Sequence, residues 1–271
     1  LFHDFFAYQD LADIRDMIET GVFAKDSILA PHENKLRLNN VIGYENLKMQ
    51  LRRQADYICA DAAAKKNYEK FRIEVRKGAL LYGPPGNAKS MLAQAVAGEY
   101  GFYFFKILSR DFADINPQDQ IKCLENIFEQ TARFSKTMST CRGILLFFDE
   151  FDSLAGSHVL NPVVRGSLLN YIADEQKLRA HDSKIMFVAA TNFVDLIDEA
   201  IKRPGRIDVH LFMSSPLEEN GKLMLMQFFQ KEQMAAPVSE EVIEQAYTGL
   251  LEIIRNKYII NQEAHRLSGT T

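Results

Sequence analysis

The sequence contains no tryptophan, few cysteines and no long apolar run. The three cysteines, Cys59, Cys123 and Cys141, form no Cys-x-x-Cys pair and have no histidine at metal-ligand spacing. They indicate neither a disulfide framework nor a zinc site, and we expect a cytoplasmic protein. Apolar runs such as Ile144–Phe148 fall far short of the roughly 20 residues that cross a bilayer. We therefore expect no membrane span in this chain.

The sequence also has little excess charge of either sign. Its 271 residues include 32 Lys and Arg against 36 Asp and Glu, a formal charge of −4, with no block of five or six like charges. The chain therefore lacks the overall attraction to nucleic acid that a basic protein has, and we expect no nucleic-acid partner. Hydrophobic residues make up 47% and charged residues 25%, which is the balance of a folded chain. The sequence begins without Met, and a targeting segment could precede it.

Short apolar runs alternate with amphipathic stretches of helix length, beginning with a helix predicted for Val41–Tyr57. The runs are continuous rather than alternating, which is typical of parallel strands covered on both faces. This order predicts an α/β fold with a five-stranded parallel sheet. The predicted strands are Gly78–Tyr82, Phe102–Leu108, Ile144–Phe148, Ile185–Ala190 and Ile207–Phe212.

Three regions follow from this pattern. Residues 1–35 predict a mixed helical lead-in that is interrupted at Pro31. Residues 36–213 contain all the predicted strands and form the large domain. The strand pattern stops after Pro216, and residues 214–271 predict a small helical domain. Its predicted helices are 217–232, 239–247 and 250 to about 266.

A glycine-rich segment, GPPGNAKS at residues 83–90, lies between the first predicted strand and a helix. Glycines let successive amides turn toward phosphate oxygens, and the helix N-terminus attracts anions. Lys89 would then bridge the β- and γ-phosphates of a nucleotide, and the Ser90 hydroxyl would bind Mg²⁺. The alternative interpretation is an ordinary glycine-rich turn between the strand and the helix. The expected phosphate-contacting residues are Pro85, Gly86, Asn87, Ala88, Lys89, Ser90 and Met91.

Ala88 stands where the phosphate-loop pattern has glycine. A side chain is acceptable there if the backbone φ is negative and the Cβ points away from the nucleotide, and we expect that conformation. The Ala-Lys-Ser triplet is similar to the one in minichromosome-maintenance helicases and MoxR-type ATPases. That resemblance implies that the loop binds nucleotide.

The third predicted strand ends in two carboxylates, Asp149 and Glu150. Ligands of parallel sheets bind at the carboxyl ends of the strands, so this pair is expected beside the phosphate loop. Asp149 would support Mg²⁺ through its water shell. Glu150 is not expected to bind the metal and could act as the general base toward an attacking water.

The segment FDEFDSL at residues 148–154 and the segment AATNFVDLIDEAIKRPGRID at residues 189–208 resemble motifs of the AAA family of AAA+ ATPases. The similarity runs from residue 41 to about 260. It implies a three-layer P-loop NTPase domain with a helical lid, which binds ATP or ADP and Mg²⁺ and assembles into a homo-oligomeric, hexameric ring.

The same resemblance implies roles for several further residues. Val41, Ile42 and Gly43 would line the adenine pocket. Asn192 would contact the γ-phosphate or the attacking water; the alternative is a capping Asn in a turn. Arg203 and Arg206 would reach into the neighbouring subunit's nucleotide site; the alternative is a pair of solvated arginines.

The sequence departs from the family's protein-threading members at several positions. Asn116-Pro117-Gln118 stands where those members have a pore loop with an aromatic residue, and the second pore loop would fall at 156–162, with the solvent-facing His158. The family's lid motif is only loosely matched at 247–252, and Arg255 is a weak candidate sensor. The six histidines include no His-Glu-x-x-His pattern, so a metalloprotease site is not expected.

The main functional interpretation is an ATPase that couples hydrolysis in a ring to remodelling of a protein substrate or adaptor. The first alternative is a nucleotide-gated binding module with little hydrolysis, which the replacement at Ala88 and the missing pore aromatic favour. A nucleic-acid motor is the third interpretation, which the acidic balance disfavours. The identity of the remodelled partner cannot be read from this sequence.

Overall fold

The computed structural model describes residues 27–71, 78–108, 116–137, 142–155, 162–173, 184–203, 205–214, 221–226 and 239–253. The chain divides into two compact units, residues 1–214 and residues 215–271. Most of the predicted helical lead-in, residues 1–26, lies outside the described residues.

The first unit alternates strands and helices along the chain. Among the described residues, no helix is both long enough and apolar enough to cross a membrane. The elements are β1 (Ile28–Leu29), α1 (Glu45–Cys59), α2 (Ala62–Lys70), β2 (Gly78–Tyr82), α3 (Lys89–Tyr100), β3 (Tyr103–Leu108), α4 (Pro117–Thr137), β4 (Ile144–Asp149), α5 (Asp152–Ala155), α6 (Pro162–Ala173), β5 (Ile185–Thr191) and β6 (Val209–Phe212).

The strands form one sheet in the order β1-β3-β4-β5-β2-β6. The five predicted strands are parallel to one another, and the α/β class is confirmed. The strand count of five was wrong, because β1 adds a sixth strand, antiparallel to β3. β1 is only two residues long, too short for a periodic pattern. Its pairing with Phe104 and Phe105 depends on residues about 75 positions away.

Two hydrophobic cores lie on the two faces of the sheet. On β4, Leu146 and Phe148 join one core with Leu124 and Phe128 of α4. Leu145 and Phe147 join the other core, which contains buried residues of α1 and α3. Successive strand residues point to opposite faces, so both faces of β4 must be apolar. This explains why the strand reads as a continuous apolar run.

Helix α1 begins at Glu45, four residues later than predicted. Gly43 has φ of 76° and Tyr44 has φ of 60°, both in the left-handed region that a right-handed helix does not use. Residues 41–44 are therefore a non-helical connection. Val41 is buried in the core that contains α3, so the connection is anchored to the helix that follows the phosphate loop.

The described part of the second unit is helical at residues 221–226 and 240–253. The predicted break between 247 and 250 is wrong, because the helix continues through Thr248 and Gly249. The Thr248 hydroxyl donates to the carbonyl oxygen of Glu244, one turn earlier, which satisfies a polar group that would otherwise favour a turn. An ion pair between Lys222 and Glu244 joins the two helical segments. Arg255 lies outside the described residues.

Candidate functional site

The phosphate loop connects β2 to α3 and needs glycine at its first position. Gly83 has φ of 144°, and a Cβ there would overlap the carbonyl oxygen of Met213. Gly86 has φ of 81° but faces open space. Gly83 is therefore required because a side chain would collide with the backbone of Met213. Gly86 is favoured by its positive φ alone.

Ala88 adopts φ of 60° immediately before α3, so the expected negative φ is wrong. The loop must turn into a helix at this point, and that turn uses the left-handed region. An alanine occupies this region at a cost of about 1–2 kcal/mol. Alanine is therefore accommodated at this position with a strained backbone, and the loop does not change its shape to relieve that strain.

Lys89 is a buried cation at the first position of α3. It is 8% exposed, and its ammonium donates to the carbonyl oxygens of Gly83 and Pro84, both at 2.8 Å. A third bond, of 2.7 Å, goes to Oδ1 of Asn192. Burial lowers the pKa of Lys89, while Asp149 and Asp152 oppose that shift. The loop thus holds a desolvated positive charge where an anion would relieve the burial penalty.

The strand order explains why distant residues meet at this lysine. β5 lies between β4 and β2, so Asn192, just after β5, reaches the phosphate loop after β2. Asp149 ends β4, and its Oδ2 accepts a hydrogen bond of 3.0 Å from the Ser90 hydroxyl. Lys89, Ser90, Asp149 and Asn192 therefore form one cluster at the carboxyl ends of three adjacent strands, in agreement with the rule for parallel sheets.

Glu150 follows Asp149 with φ of 51°. Its amide donates to Oδ1 of Asp149 at 3.1 Å, and its side chain is half-buried. The positive φ turns the chain abruptly at the strand end, so the two carboxylates need not follow the alternation of a strand. Nearby, the Thr191 hydroxyl donates to Oδ1 of Asp152 at 2.6 Å, which links the ends of β4 and β5.

The structure adds Lys106, which the sequence analysis did not identify. Its ammonium lies 3.1 Å from Oδ2 of Asp149. Lys106 pairs with Phe147 in the parallel register of β3 and β4, so it lies on the same sheet face as Asp149, two residues further on. A charged residue inside the otherwise apolar run of β3 is the sequence signal that could have indicated it.

Residues 41–44 lie beside the chain that leaves β6. The Tyr44 hydroxyl donates to the carbonyl oxygen of Ser214 at 2.8 Å. Asn87 of the phosphate loop is buried and donates from Nδ2 to the carbonyl oxygen of Met213 at 2.8 Å. Tyr44, which directly follows the predicted adenine-lining residues, and the phosphate loop are thereby attached to the same short segment, 213–214.

Arg203 and Arg206 lie on the turns that precede β6. Arg203 is exposed, whereas Arg206 is half-buried and donates to the carbonyl oxygen of Ala200 at 2.6 Å. Arg165 of α6 forms an ion pair of 3.1 Å with Asp198 in the same region. The arginine segment is therefore held to the sheet domain, with at least one guanidinium facing solvent.

Two of the three residues predicted to lie in a pore loop are helical. Pro117 and Gln118 are the first residues of α4, and the Asp119 amide donates to Oδ1 of Asn116 at 3.1 Å. Asn116 therefore caps the helix, and Pro117 takes the first helical position that proline favours. Residues 156–161, with the second pore-loop candidate and His158, lie outside the described residues.

The donor set fits a magnesium nucleotide. The first α3 bond runs from the Leu92 amide to the Ala88 carbonyl, so the amides that precede Leu92 lack intrahelical acceptors and can bind phosphate. In the part of the chain that the structure describes, no group of three His, Cys, Asp or Glu could hold a metal. Mg²⁺ that arrives with a nucleotide would need no such group, because phosphates and water can complete its shell.

Comparison with known proteins agrees with this geometry. Residues 79–215 match the family model described as "ATPase family associated with various cellular activities (AAA)". The matched segment begins in β2 and ends just after β6. It therefore contains the phosphate loop, both carboxylates, Asn192 and the two arginines, and the resemblance stated from the motifs is confirmed.

Curated relatives are similar over most of this chain. The ATP-dependent zinc metalloprotease FtsH 3 of Symbiobacterium thermophilum is 30% identical over 231 residues, which are 82% of this chain and 34% of the relative. The ATP-dependent zinc metalloprotease YME1L1 of Rattus norvegicus is 27% identical over 243 residues, 87% of this chain and 32% of the relative. The chain thus spans about a third of the length of these relatives.

Proposed function

Because the chain belongs to the AAA family of ATPases, we propose that it hydrolyses ATP in a ring of identical subunits and uses the energy to remodel a protein partner. One observation carries the nucleotide part of this proposal. The Lys89 ammonium joins the phosphate loop to Asn192, while Ser90 joins the same loop to Asp149. Three strand ends therefore converge on a buried cation that could bind the phosphates of a nucleoside triphosphate.

In the proposed mechanism, Lys89 exchanges its neutral carbonyl acceptors for phosphate oxygens. Hydrogen bonds between charged partners are about twice as strong as neutral ones, so this exchange is favourable. Asn192 then loses its contact with the ammonium and is released to bind the γ-phosphate or the attacking water. Ser90 and Asp149 would hold Mg²⁺, which would supply positive charge to neutralise the phosphates.

Glu150 is the proposed general base. Its carboxylate accepts a proton from water as the water oxygen bonds to the γ-phosphorus and the bond from that phosphorus to the bridging oxygen of ADP breaks. Arg203 and Arg206 of the next subunit would stabilise the charge on the transferred group. The exposure of Arg203 supports this role, because a group that acts on a neighbour must face outward.

The proposed partner is a protein. The relatives' names describe ATP-dependent zinc metalloproteases, but the present chain has no His-Glu-x-x-His motif. We therefore propose that this chain supplies the ATP-driven part of such an activity and not the hydrolysis of peptide bonds. Because residues 116–118 contain no aromatic side chain and lead directly into α4, contact with the partner would not use an aromatic pore loop at this position.

We also place this activity in the cytoplasm. Cys59 and Cys123 are free thiols, and free thiols persist in a reducing compartment. The remaining cysteine, Cys141, lies outside the described residues.

Replacement of Glu150 by Gln tests the hydrolytic function. The amide keeps the size of the side chain but cannot accept the proton, so steady-state phosphate release should fall by about 10²–10⁴-fold. The affinity for ATP, measured by calorimetry, should stay within about twofold of wild type because Glu150 does not bind the phosphates. Glu125→Gln on the exposed face of α4 is the matched control and should leave both quantities unchanged.

The same assay separates the proposal from a nucleotide-gated scaffold. Phosphate release per subunit should rise with protein concentration, because a trans-acting arginine requires a neighbour. A Lys89→Ala variant should lose ATP binding, since the buried cation is removed. Background phosphate release at every concentration, with normal ATP binding, would instead support the scaffold.

A further inference from the structure

Lys106 carries a positive charge beside the proposed magnesium position. Its ammonium lies 3.1 Å from Oδ2 of Asp149. That oxygen also accepts the hydrogen bond from the Ser90 hydroxyl. Lys106 therefore contacts the carboxylate assigned to the metal's water shell, next to the hydroxyl assigned as a direct metal ligand.

A lysine ammonium and a divalent cation cannot both interact at full strength with one carboxylate. Like charges within about 5 Å repel strongly at the low effective dielectric of a partly buried site. The side chain of Asp149 is 20% exposed, so water screens the repulsion only in part. Binding of Mg²⁺ beside Asp149 must therefore weaken or break the contact with Lys106.

The Lys106 side chain is able to leave. It is 37% exposed, and a lysine has a flexible four-carbon stem with a strongly hydrated head group. Its position on β3, one strand beyond β4, lies on the side of Asp149 away from the phosphate loop. Movement of its head group toward solvent therefore requires no rearrangement of Lys89 or of the loop.

We propose that Lys106 is a positioning residue that holds the Asp149 carboxylate against Ser90 in the metal-free site and is displaced by Mg²⁺. The inference rests on the proposed function, which places the metal beside Asp149. Its consequence is a specific requirement for free Mg²⁺: the internal cation competes with the metal, so a higher Mg²⁺ concentration is needed for tight nucleotide binding than in a site without the lysine.

The experiment measures ATP affinity by calorimetry at a series of free Mg²⁺ concentrations and in EDTA. The full chain carries Glu150→Gln to prevent hydrolysis. Lys106→Met keeps the aliphatic stem but removes the charge, and Lys106→Gln is a second variant in case the first folds poorly. Lys106→Arg should restore the competition. Lys122→Met removes an exposed ion pair with Asp119 on α4 and serves as the matched control.

We expect Lys106→Met to lower the half-saturating free Mg²⁺ by about threefold or more, as removal of a like charge near the metal requires. The affinity for ATP in EDTA should stay unchanged, because the lysine does not touch the phosphates. Lys106→Arg and Lys122→Met should behave like the parent. A loss of ATP affinity in EDTA for Lys106→Met would overturn the proposal, since it would make Lys106 a phosphate ligand.

Asp149→Asn separates this inference from the proposed site. It should raise the half-saturating free Mg²⁺. In its presence Lys106→Met should have little further effect, because the ammonium is no longer held beside the metal by Asp149 and stays in solvent. If Asp149→Asn leaves the Mg²⁺ requirement unchanged, the proposed metal position is wrong. If Asp149→Asn shifts it and Lys106→Met does not, the metal position stands and the role of Lys106 is refuted.

Discussion

Strained backbone positions concentrate at the proposed nucleotide site. Among the described residues, Tyr44, Ala88 and Glu150 are the non-glycine residues with positive φ. All three border the phosphate loop, its neighbouring connection or the carboxylate pair. Such conformations cost about 1–3 kcal/mol each and persist where the surrounding structure fixes them. We interpret them as the cost of directing amides and carboxylates toward one point.

The glycines of the phosphate loop allow a test at this scale. Gly83→Ala should reduce the free energy of unfolding by about 3 kcal/mol or more, because its Cβ would overlap the Met213 carbonyl as well as strain φ. Gly86→Ala also strains φ but meets open space, so its cost should be about 1–2 kcal/mol. Urea unfolding of the two variants measures the difference. Equal costs would show that Met213 moves to accept the new methyl group.

The residue types at the site could be predicted from the sequence, but their contacts could not. The motif spacing identified Lys89, Ser90 and Asp149, and the structure brings them together. The φ of Ala88 was predicted with the wrong sign, because local sequence does not determine how a loop enters a helix. Lys106 was missed because its partner, Asp149, lies 43 residues further along the chain.

At the scale of elements, the helix after the phosphate loop is held from both ends. Near its start, Lys89 and Ser90 contact the strand ends. At its last residue, the Tyr100 hydroxyl donates to Oδ1 of Asp56 in α1 at 2.8 Å. Between them, the Asn34 side-chain amide donates to the carbonyl oxygen of Gln94 at 2.9 Å. Helix α3 therefore cannot shift without breaking contacts with both α1 and the segment between β1 and α1.

Tyr100 should make the free energy of unfolding fall at alkaline pH. Burial, followed by the hydrogen bond and charge of Asp56, raises the pKa of Tyr100 well above its usual value. A raised folded-state pKa stabilises the fold below the unfolded pKa of about 10, and this contribution is lost as pH rises above it. Tyr100→Phe should therefore cost about 0.5–1.5 kcal/mol at neutral pH and make the alkaline decline in stability shallower.

Urea unfolding at a series of pH values from neutral to alkaline measures this effect. Asp56→Asn keeps a hydrogen-bond acceptor but removes the charge, so its alkaline decline should lie between those of wild type and Tyr100→Phe. Parallel declines for all three proteins would show that Tyr100 does not carry the pH dependence.

Element prediction succeeded where the pattern was long and failed where it was short. The continuous apolar runs identified five strands of the sheet. The two-residue β1 has no pattern of its own, and it exists because β3 offers an unpaired edge. The predicted break in the C-terminal helix was wrong because a side chain at Thr248 satisfied its hydroxyl within the helix. Local propensity was overridden in both cases.

At the scale of the whole molecule, the proposed mechanism requires more than one chain. Arg203 is exposed, so Arg203→Ala should change the free energy of unfolding by only about 0.5 kcal/mol. It should nevertheless lower ATP turnover by about 10³–10⁵-fold if the guanidinium acts on a neighbour. Thermal unfolding and phosphate release together check both expectations.

Mixing two inactive variants tests the trans arrangement directly. Arg203→Ala keeps Glu150, and Glu150→Gln keeps Arg203, so an interface that pairs the first variant's nucleotide site with the second variant's arginine contains every proposed catalytic group. An equimolar mixture should recover activity at about a quarter of its interfaces. A mixture as inactive as its components, under conditions where size-exclusion chromatography shows mixed oligomers, would refute the trans role of Arg203.

The sequence by itself determined the α/β class, the nucleotide chemistry and the family, because these depend on apolar runs and residue types at short spacings. The tertiary structure decided which strands are neighbours, and therefore that Asn192 meets Lys89 and that Lys106 meets Asp149. It also decided the strained backbone at Ala88 and Glu150. Contacts of this kind are fixed by packing between residues far apart in the chain, which no local pattern encodes.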